Sequence, residues 1–193
     1  MKISVVMANY NYGKYICRAL TSLMNQTFKD FEIIVVDDGS TDYSLQVLEP
    51  YRSDIKLIAH NHQGQAVACN HGFNQSTGQF IVRVDADDYV NKDFLLIESM
   101  FLEDNKEYDA VSCDYYIIGE NGNRLGRYYA EKNPIACGMM FRRESLFEAG
   151  LYADVKIWEE VEFMKRFLKN HKVYHLPLPL YRYLKHKGSV TNK

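Results

Sequence analysis

Short apolar runs alternate with amphipathic stretches through the first half of the chain. Residues 3–8 and 31–36 are mostly aliphatic and read as buried strands, and between them residues 13–26 predict a helix with Ile16, Ala19, Leu20, Leu23 and Met24 on one face. A helix is expected over about 42–51, a strand over 55–59, a helix over 64–75 and a strand over 80–84. Strand and helix in alternation predict βαβ units and a mostly parallel sheet.

After residue 88 the pattern changes. A helix over 92–103 is expected to bury Phe94, Ile97, Met100 and Phe101, and residues 110–118 read as a long strand. Glu120-Asn121-Gly122-Asn123 is a hairpin turn, with 124–129 returning. Asn133-Pro134 separates this hairpin from a strand near 137–141, and helices follow over about 143–149 and 159–170. The expected fold class is α/β: a mostly parallel central sheet with helices on both faces, joined to a smaller mixed second half.

At 193 residues the chain has room for one domain with a full core, so residues 1–193 are read as a single unit. Its 23 basic and 25 acidic residues nearly balance, which removes the electrostatic reason to expect a nucleic-acid partner. Cys17, Cys69, Cys113 and Cys137 lie far apart with no C-x-x-C pair, which signals neither a zinc site nor a disulfide framework. They read as buried thiols of a reducing, cytoplasmic setting. No apolar run approaches the ~20 residues of a membrane span. The basic stretch from Lys185 to Lys193 is either a solvated tail or a peripheral contact with phosphate or a membrane surface.

In a parallel sheet, ligands sit beyond the carboxyl ends of the strands. Here those ends carry Asn9-Tyr10-Asn11, Asp37-Asp38 and Asp85-Ala86-Asp87-Asp88, so three polar clusters should converge on one rim. Asp85, Asp87 and Asp88 crowd three carboxylates into four residues, which is costly unless a cation, a backbone nest or a polar ligand satisfies them. Hard oxygen donors two apart suit a divalent metal on a phosphorylated substrate; the competing reading is a turn that caps the next helix.

Trp158-Glu159-Glu160-Val161-Glu162-Phe163 opens the last helix. Acidic residues in a first turn offset the helix dipole, and Glu162 can pair with Arg166. Glu160 shares a face with Met164 and Phe167, so it should point inward, where a carboxylate gains basicity and can act as a general base. His60 and His62 lack a third ligand. Arg142, Arg143 and Arg182 are candidates for phosphate or acceptor contact as well as for ordinary solvated positions. Tyr10, Trp158 and Tyr181 can stack on a base or sugar or simply pack.

The residues from Ser4 to Asn11, Val35-Val36-Asp37-Asp38-Gly39-Ser40-Thr41-Asp42, Asn70-His71-Gly72, Gly78-Gln79-Phe80-Ile81 and Asp85-Ala86-Asp87-Asp88 resemble, in order, the motifs of the family 2 glycosyltransferases. Gly138 to Arg143, Gly150-Leu151-Tyr152, Trp158-Glu159-Glu160 and Leu180-Tyr181-Arg182-Tyr183 with His186, Ser189 and Thr191 are similar to the family's second half. The resemblance implies a GT-A, Rossmann-like fold, with residues 1–90 binding the nucleotide sugar and 91–193 the acceptor. It further implies a Mn2+ or Mg2+ ion and transfer with inversion from a nucleotide-sugar donor, most commonly a UDP-sugar, to a saccharide, glycolipid or other hydroxyl acceptor.

By the same resemblance Ala8, Tyr10, Asn11, Asp37, Asp38, Asn70, Asp85 and Ala86 line the donor. Asp87 holds the metal, His186 reaches the metal or diphosphate or else lies on the surface, and Glu160 or Glu159 is the base. The usual proline after the first strand is Ala8 here. An arginine that some members place before Asn-x-Gly is Cys69, and the usual base aspartate is Glu160 after Glu159. A nucleotidyltransferase-like enzyme and a non-catalytic nucleotide-sugar-binding module are the alternatives. Against the first, Asn9-Tyr10-Asn11-Tyr12-Gly13-Lys14 is a poor phosphate loop. The Gln-x-x-Arg-Trp motif of processive synthesis is not present.

Overall fold

The computed structural model describes residues 2–135, 137–153 and 159–187. The first half runs β1 (Ile3–Asn9), α1 (Ile16–Met24), β2 (Phe31–Asp37), α2 (Ser44–Leu48), β3 (Lys56–Ala59), α3 (Gln65–Asn74) and β4 (Phe80–Arg83). A short β5 (Tyr89–Val90) follows, then α4 (Phe94–Asp104), β6 (Ala110–Gly119), β7 (Arg124–Tyr128), β8 (Met139–Arg142), α5 (Arg143–Glu148), α6 (Glu159–Phe167) and β9 (Val173–Lys185).

All of these strands join one sheet, ordered β3-β2-β1-β4-β8-β6-β9-β5, with β7 added on β6. β3, β2, β1 and β4 are parallel, with Ile3 opposite both Phe31 and Phe80. β8 enters antiparallel to β4 and β6, so the second half extends the same sheet. The expected α/β sheet is therefore present, parallel in the first half and mixed where the chain's second half was expected to be mixed.

Alternate residues of β1 feed two helical layers, as a pleated strand buried on both faces must. Val5 and Met7 pack with Ile16, Leu20, Leu23 and Phe94, while Val6 packs on the other face with Ala66, Phe73, Ile81, Phe163 and Phe167. Gly72 lets α3 lie hard against the sheet, because a Cβ there would run into Val6 and Val36.

Three local expectations change. In α4, Met100 points to solvent at 51% exposure and Glu98 occupies the core position instead. The helix expected over 42–51 is α2 plus a turn of 3-10 helix at Glu49–Tyr51, where Pro50 removes a backbone donor. β9 was hidden by Pro177 and Pro179, which spoil a strand pattern. The sheet accepts them at a bulge: register with β6 shifts on both sides of Asp114, which faces Pro179. Buried Asp114 fixes that bulge by accepting hydrogen bonds from Arg127 (2.6 Å) and the Ala130 amide (3.2 Å) and by pairing with His175 (2.7 Å). Cys17 is half-buried and the other three thiols are buried; all four are free. No helix among the described residues is long and apolar enough to cross a membrane.

Candidate active site

The carboxyl ends of β1, β2 and β4 do meet on one rim. The Asn9 amide donates to Asp37 Oδ2 at 2.7 Å and to Ser40 Oγ at 3.1 Å, joining the first cluster to the second. Asn11, in the left-handed region at φ 60°, accepts from the Thr41 and Asp42 amides at 2.8 and 3.1 Å. Asp37 and Asp38 are 1% and 2% exposed, and their oxygens are taken by the backbone: Ser40 on Asp37 (2.9 Å), Gln63 (2.7 Å) and Gly64 (2.9 Å) on Asp38. Both were expected beside the nucleoside. In this arrangement they accept the amides of the loops that follow, and half-buried Ala8 packs against the cluster of Ile34, Val36 and Ala68.

His60 and His62 both approach Asp38, at 3.3 and 2.8 Å, and the exposed Tyr10 ring stacks on His62 with centroids 4.0 Å apart. The Asn70 side-chain amide donates to the Tyr152 carbonyl (2.7 Å) and accepts the Tyr152 amide (3.0 Å), latching α3 to the segment before α6.

The loop after β4 is the chemical centre. Arg83, in a strand that otherwise reads as apolar, is buried and donates to both Asp85 oxygens at 2.7 and 3.3 Å. Its remaining nitrogen faces Glu159 Oε1 at 3.4 Å. The Asp85 amide donates to the Tyr181 hydroxyl at 3.1 Å, and the Arg18 guanidinium donates to the Asp87 carbonyl at 2.9 Å. Ala86 is buried beneath the loop.

His186, from just beyond β9, is buried rather than on the surface. Its Nε2 lies 2.9 Å from Asp87 Oδ2, with the Tyr15 ring 4.6 Å from its own. Burial, then the Asp85 charge, push the Asp87 carboxyl up, and the bond to His186 partly offsets them. The Tyr12 hydroxyl is raised by burial and by the same Asp87 charge.

One group of three possible ligands occurs among the described residues: Asp85, Asp88 and Cys137, with atoms within 4.8 Å of one another. Asp88, however, accepts the Leu184 amide at 2.7 Å and the Cys137 thiol at 3.7 Å. Burial drives both Asp88 and Cys137 well above their ordinary values. Asp88 therefore serves as the clasp that holds β9 on the loop. Asp87 with His186 offers an oxygen and an imidazole nitrogen 2.9 Å apart beside Asp85, donor types that a divalent cation takes.

At the start of α6, Glu159 is buried on Arg83, whereas Glu160 is half-buried. The inward-facing member expected from the helix face was Glu160, but Arg83 draws Glu159 in further. Burial first, then the charge of Glu159, raise the Glu160 carboxyl above its usual 4.5, against the pull of its own amide and of Arg83. Glu162 pairs with Arg166 at 2.6 Å, as the i,i+4 spacing predicts.

Arg142 donates to the Tyr108 carbonyl (2.9 Å) and Leu102 carbonyl (2.5 Å), Arg143 lies over Phe147, and Arg182 donates to the Pro179 carbonyl (2.7 Å); these bonds are structural. Trp158, Ser189 and Thr191 fall outside the described residues, as does most of the basic stretch after Lys187. Arg83 escaped the sequence reading, and Asp88 was read there only as a member of the acidic cluster. A lone charge inside an apolar strand, two residues before an aspartate, was the available signal for Arg83.

A curled, mixed sheet with a parallel first half and an Asp-Ala-Asp loop at the end of its fourth strand defines a GT-A type α/β protein. The crystal structure of Staphylococcus aureus TarS 1-349 in complex with UDP-GlcNAc superposes with a TM-score of 0.84 at 28% identity, over 100% of this chain and 61% of that one. The chain belongs to glycosyl transferase family 2, whose family model matches residues 4–167.

In sequence, the poly(ribitol-phosphate) beta-N-acetylglucosaminyltransferase TarS of S. aureus is 40% identical over 111 residues, 54% of this chain and 19% of TarS. This chain thus spans about a fifth of that relative's length. The mannosyltransferase PcManGT from Pyrobaculum calidifontis, in complex with GDP-Man and Mn2+, shares the fold with a TM-score of 0.77 at 20% identity, over 97% of this chain and 58% of that one.

Proposed function

We propose that this chain is the catalytic unit of an inverting glycosyltransferase that moves a sugar from a nucleotide-sugar donor to a hydroxyl acceptor. The observation that carries this reading is the meeting of two acidic segments, Asp85 to Asp88 and Glu159-Glu160, across the Arg83 guanidinium. The first has the chemistry for a metal-bound diphosphate and the second for a base.

Tyr10, the loops built on Asn11, Asp37 and Asp38, and the Asp85 carboxylate border the donor's nucleoside. Asp87 and His186 would hold a Mn2+ or Mg2+ ion, which would supply positive charge against the departing nucleoside diphosphate. Glu160 accepts the proton of the acceptor hydroxyl as that oxygen bonds to the anomeric carbon. The bond from that carbon to the diphosphate oxygen breaks on the opposite face. One displacement inverts the centre, and the nucleoside diphosphate leaves with the bonding pair.

The UDP-GlcNAc bound by TarS makes UDP the first nucleotide to try, and UDP-GlcNAc the first donor. Titration calorimetry of UDP and GDP, with and without Mn2+, into the wild-type chain and into Asp87→Ala tests the donor site. Metal-dependent binding lost in the variant supports it. If neither nucleotide binds with metal present, the reading fails; binding without turnover of any sugar nucleotide identifies a non-catalytic module.

A further inference from the structure

We propose that Arg83 is a positioning residue that ties the donor-loop carboxylate Asp85 to the start of α6 and, by taking Glu159 as its partner, leaves Glu160 to meet the acceptor. The inference rests on the transferase reading above and resolves which of two adjacent glutamates acts as base.

Arg83 has three features that a merely structural arginine would not combine. It is buried in β4, between strands β1 and β8, where a cation is costly unless fully paired. Its fork engages Asp85 through two nitrogens and Glu159 through the third, so one planar cation joins its own loop to a residue 76 positions away. Its ring neighbour Tyr152, 5.8 Å away, is the residue that Asn70 latches to α3. The guanidinium is thus packed from below and has one orientation open to it. Two anions share one cation, and among the described residues Arg83 makes its hydrogen bonds to Asp85 and Glu159 and not to Glu160.

The charged groups that act on Glu160 are Glu159 on its own helix, Arg83 on β4 and Asp85 in the following loop. Removing Arg83 takes away an attraction for the charged form, whereas neutralising Glu159 takes away a repulsion. The two changes should therefore move the acidic limb of the rate profile in opposite directions, which a loss of packing alone would not do.

The test uses the full chain with UDP-GlcNAc, Mn2+ and a saccharide acceptor panel, after thermal melts show which variants fold; donor hydrolysis is the readout if no acceptor is found. Arg83→Met is expected to lower kcat by about 100-fold, with a smaller change in donor KM. Its acidic limb should move to higher pH. Glu159→Gln should lose at least tenfold less activity than Glu160→Gln, with its limb moved to lower pH. The double variant Arg83→Met/Glu159→Gln should be no slower than Arg83→Met alone, since the bond it removes is already gone.

Arg83→Lys keeps the charge in a point-like head that cannot span both carboxylates, and should lose about tenfold in kcat. It decides the matter if the Met variant does not fold. Wild-type kcat in Arg83→Lys, or Glu159→Gln as inactive as Glu160→Gln, overturns the inference. Full activity in Glu160→Gln would instead overturn the base assignment on which it rests.

Discussion

His186 Nε2 and Asp87 Oδ2 are 2.9 Å apart across 99 positions of sequence. The histidine arrives there because β9 runs parallel to β6 from Ala110 opposite Val173 to Gly119 opposite Lys185, and because the Leu184 amide is clasped by Asp88. The metal-binding candidates are therefore assembled by the last strand, one that carries two prolines.

If that pair holds the ion, each member should matter to a different degree. Asp87→Ala is expected to abolish Mn2+-dependent UDP binding, and His186→Ala to weaken it by roughly 10–100-fold while leaving metal-free behaviour alone. Calorimetric titration at fixed Mn2+ decides it; an unchanged affinity in both variants removes these residues from the metal site.

Glu160 as base sets a pH dependence with a definite sign. The base works only when ionised, and burial raises its carboxyl above 4.5. The rate should thus fall as pH drops through a value above 4.5, and Glu160→Gln should lose about 10²–10⁴-fold in kcat with donor affinity retained. A kcat profile of folded Glu160→Gln that matches wild type would remove it from the chemistry.

Gly138 sits at φ +74°, and a Cβ there would lie 2.7 Å from the Tyr181 ring. Gly138→Ala should destabilise the fold by about 1–3 kcal/mol through backbone strain and displacement of Tyr181. Since the Tyr181 hydroxyl receives the Asp85 amide, UDP binding should weaken as well. Denaturant melts and titration of the same sample show whether the two losses travel together.

Glu98 is fully buried in α4 with the Cys113 thiol as its neighbour, and that thiol also reaches the Gly138 carbonyl at 3.6 Å. Burial raises its carboxyl well above 4.5, so the folded chain keeps a proton that the unfolded chain releases. The stabilising difference is complete below pH 4.5 and is lost as pH rises toward the folded value. Glu98→Gln should flatten that decline. Urea melts of both proteins between pH 5 and about 8 measure it, and parallel curves would contradict the buried, protonated acid.

Much of the first half was legible because its signals are local. The periodicities of residues 3–8, 13–26, 31–36 and 64–75 report which side chains face the core, and parallel topology then places the three strand ends together. The motifs at those ends could be read, but their division of labour could not. Asp37, Asp38 and Asn70 carry the residue types of a binding site, yet their side chains close loops and latch helices. An aspartate that accepts backbone amides and one that awaits a ligand are the same letter.

The sequence by itself determined the α/β class, the order of βαβ units and the rim on which carboxylates gather, since each follows from spacing within a few tens of residues. Only the tertiary structure decided that Pro177 and Pro179 lie in a strand, that His186 is buried on Asp87, and that Arg83 pairs with Glu159 rather than Glu160. The last two outcomes depend on partners 99 and 76 residues away. Burial makes an unpaired charge so costly that the partner, and not the local pattern, fixes where each side chain goes.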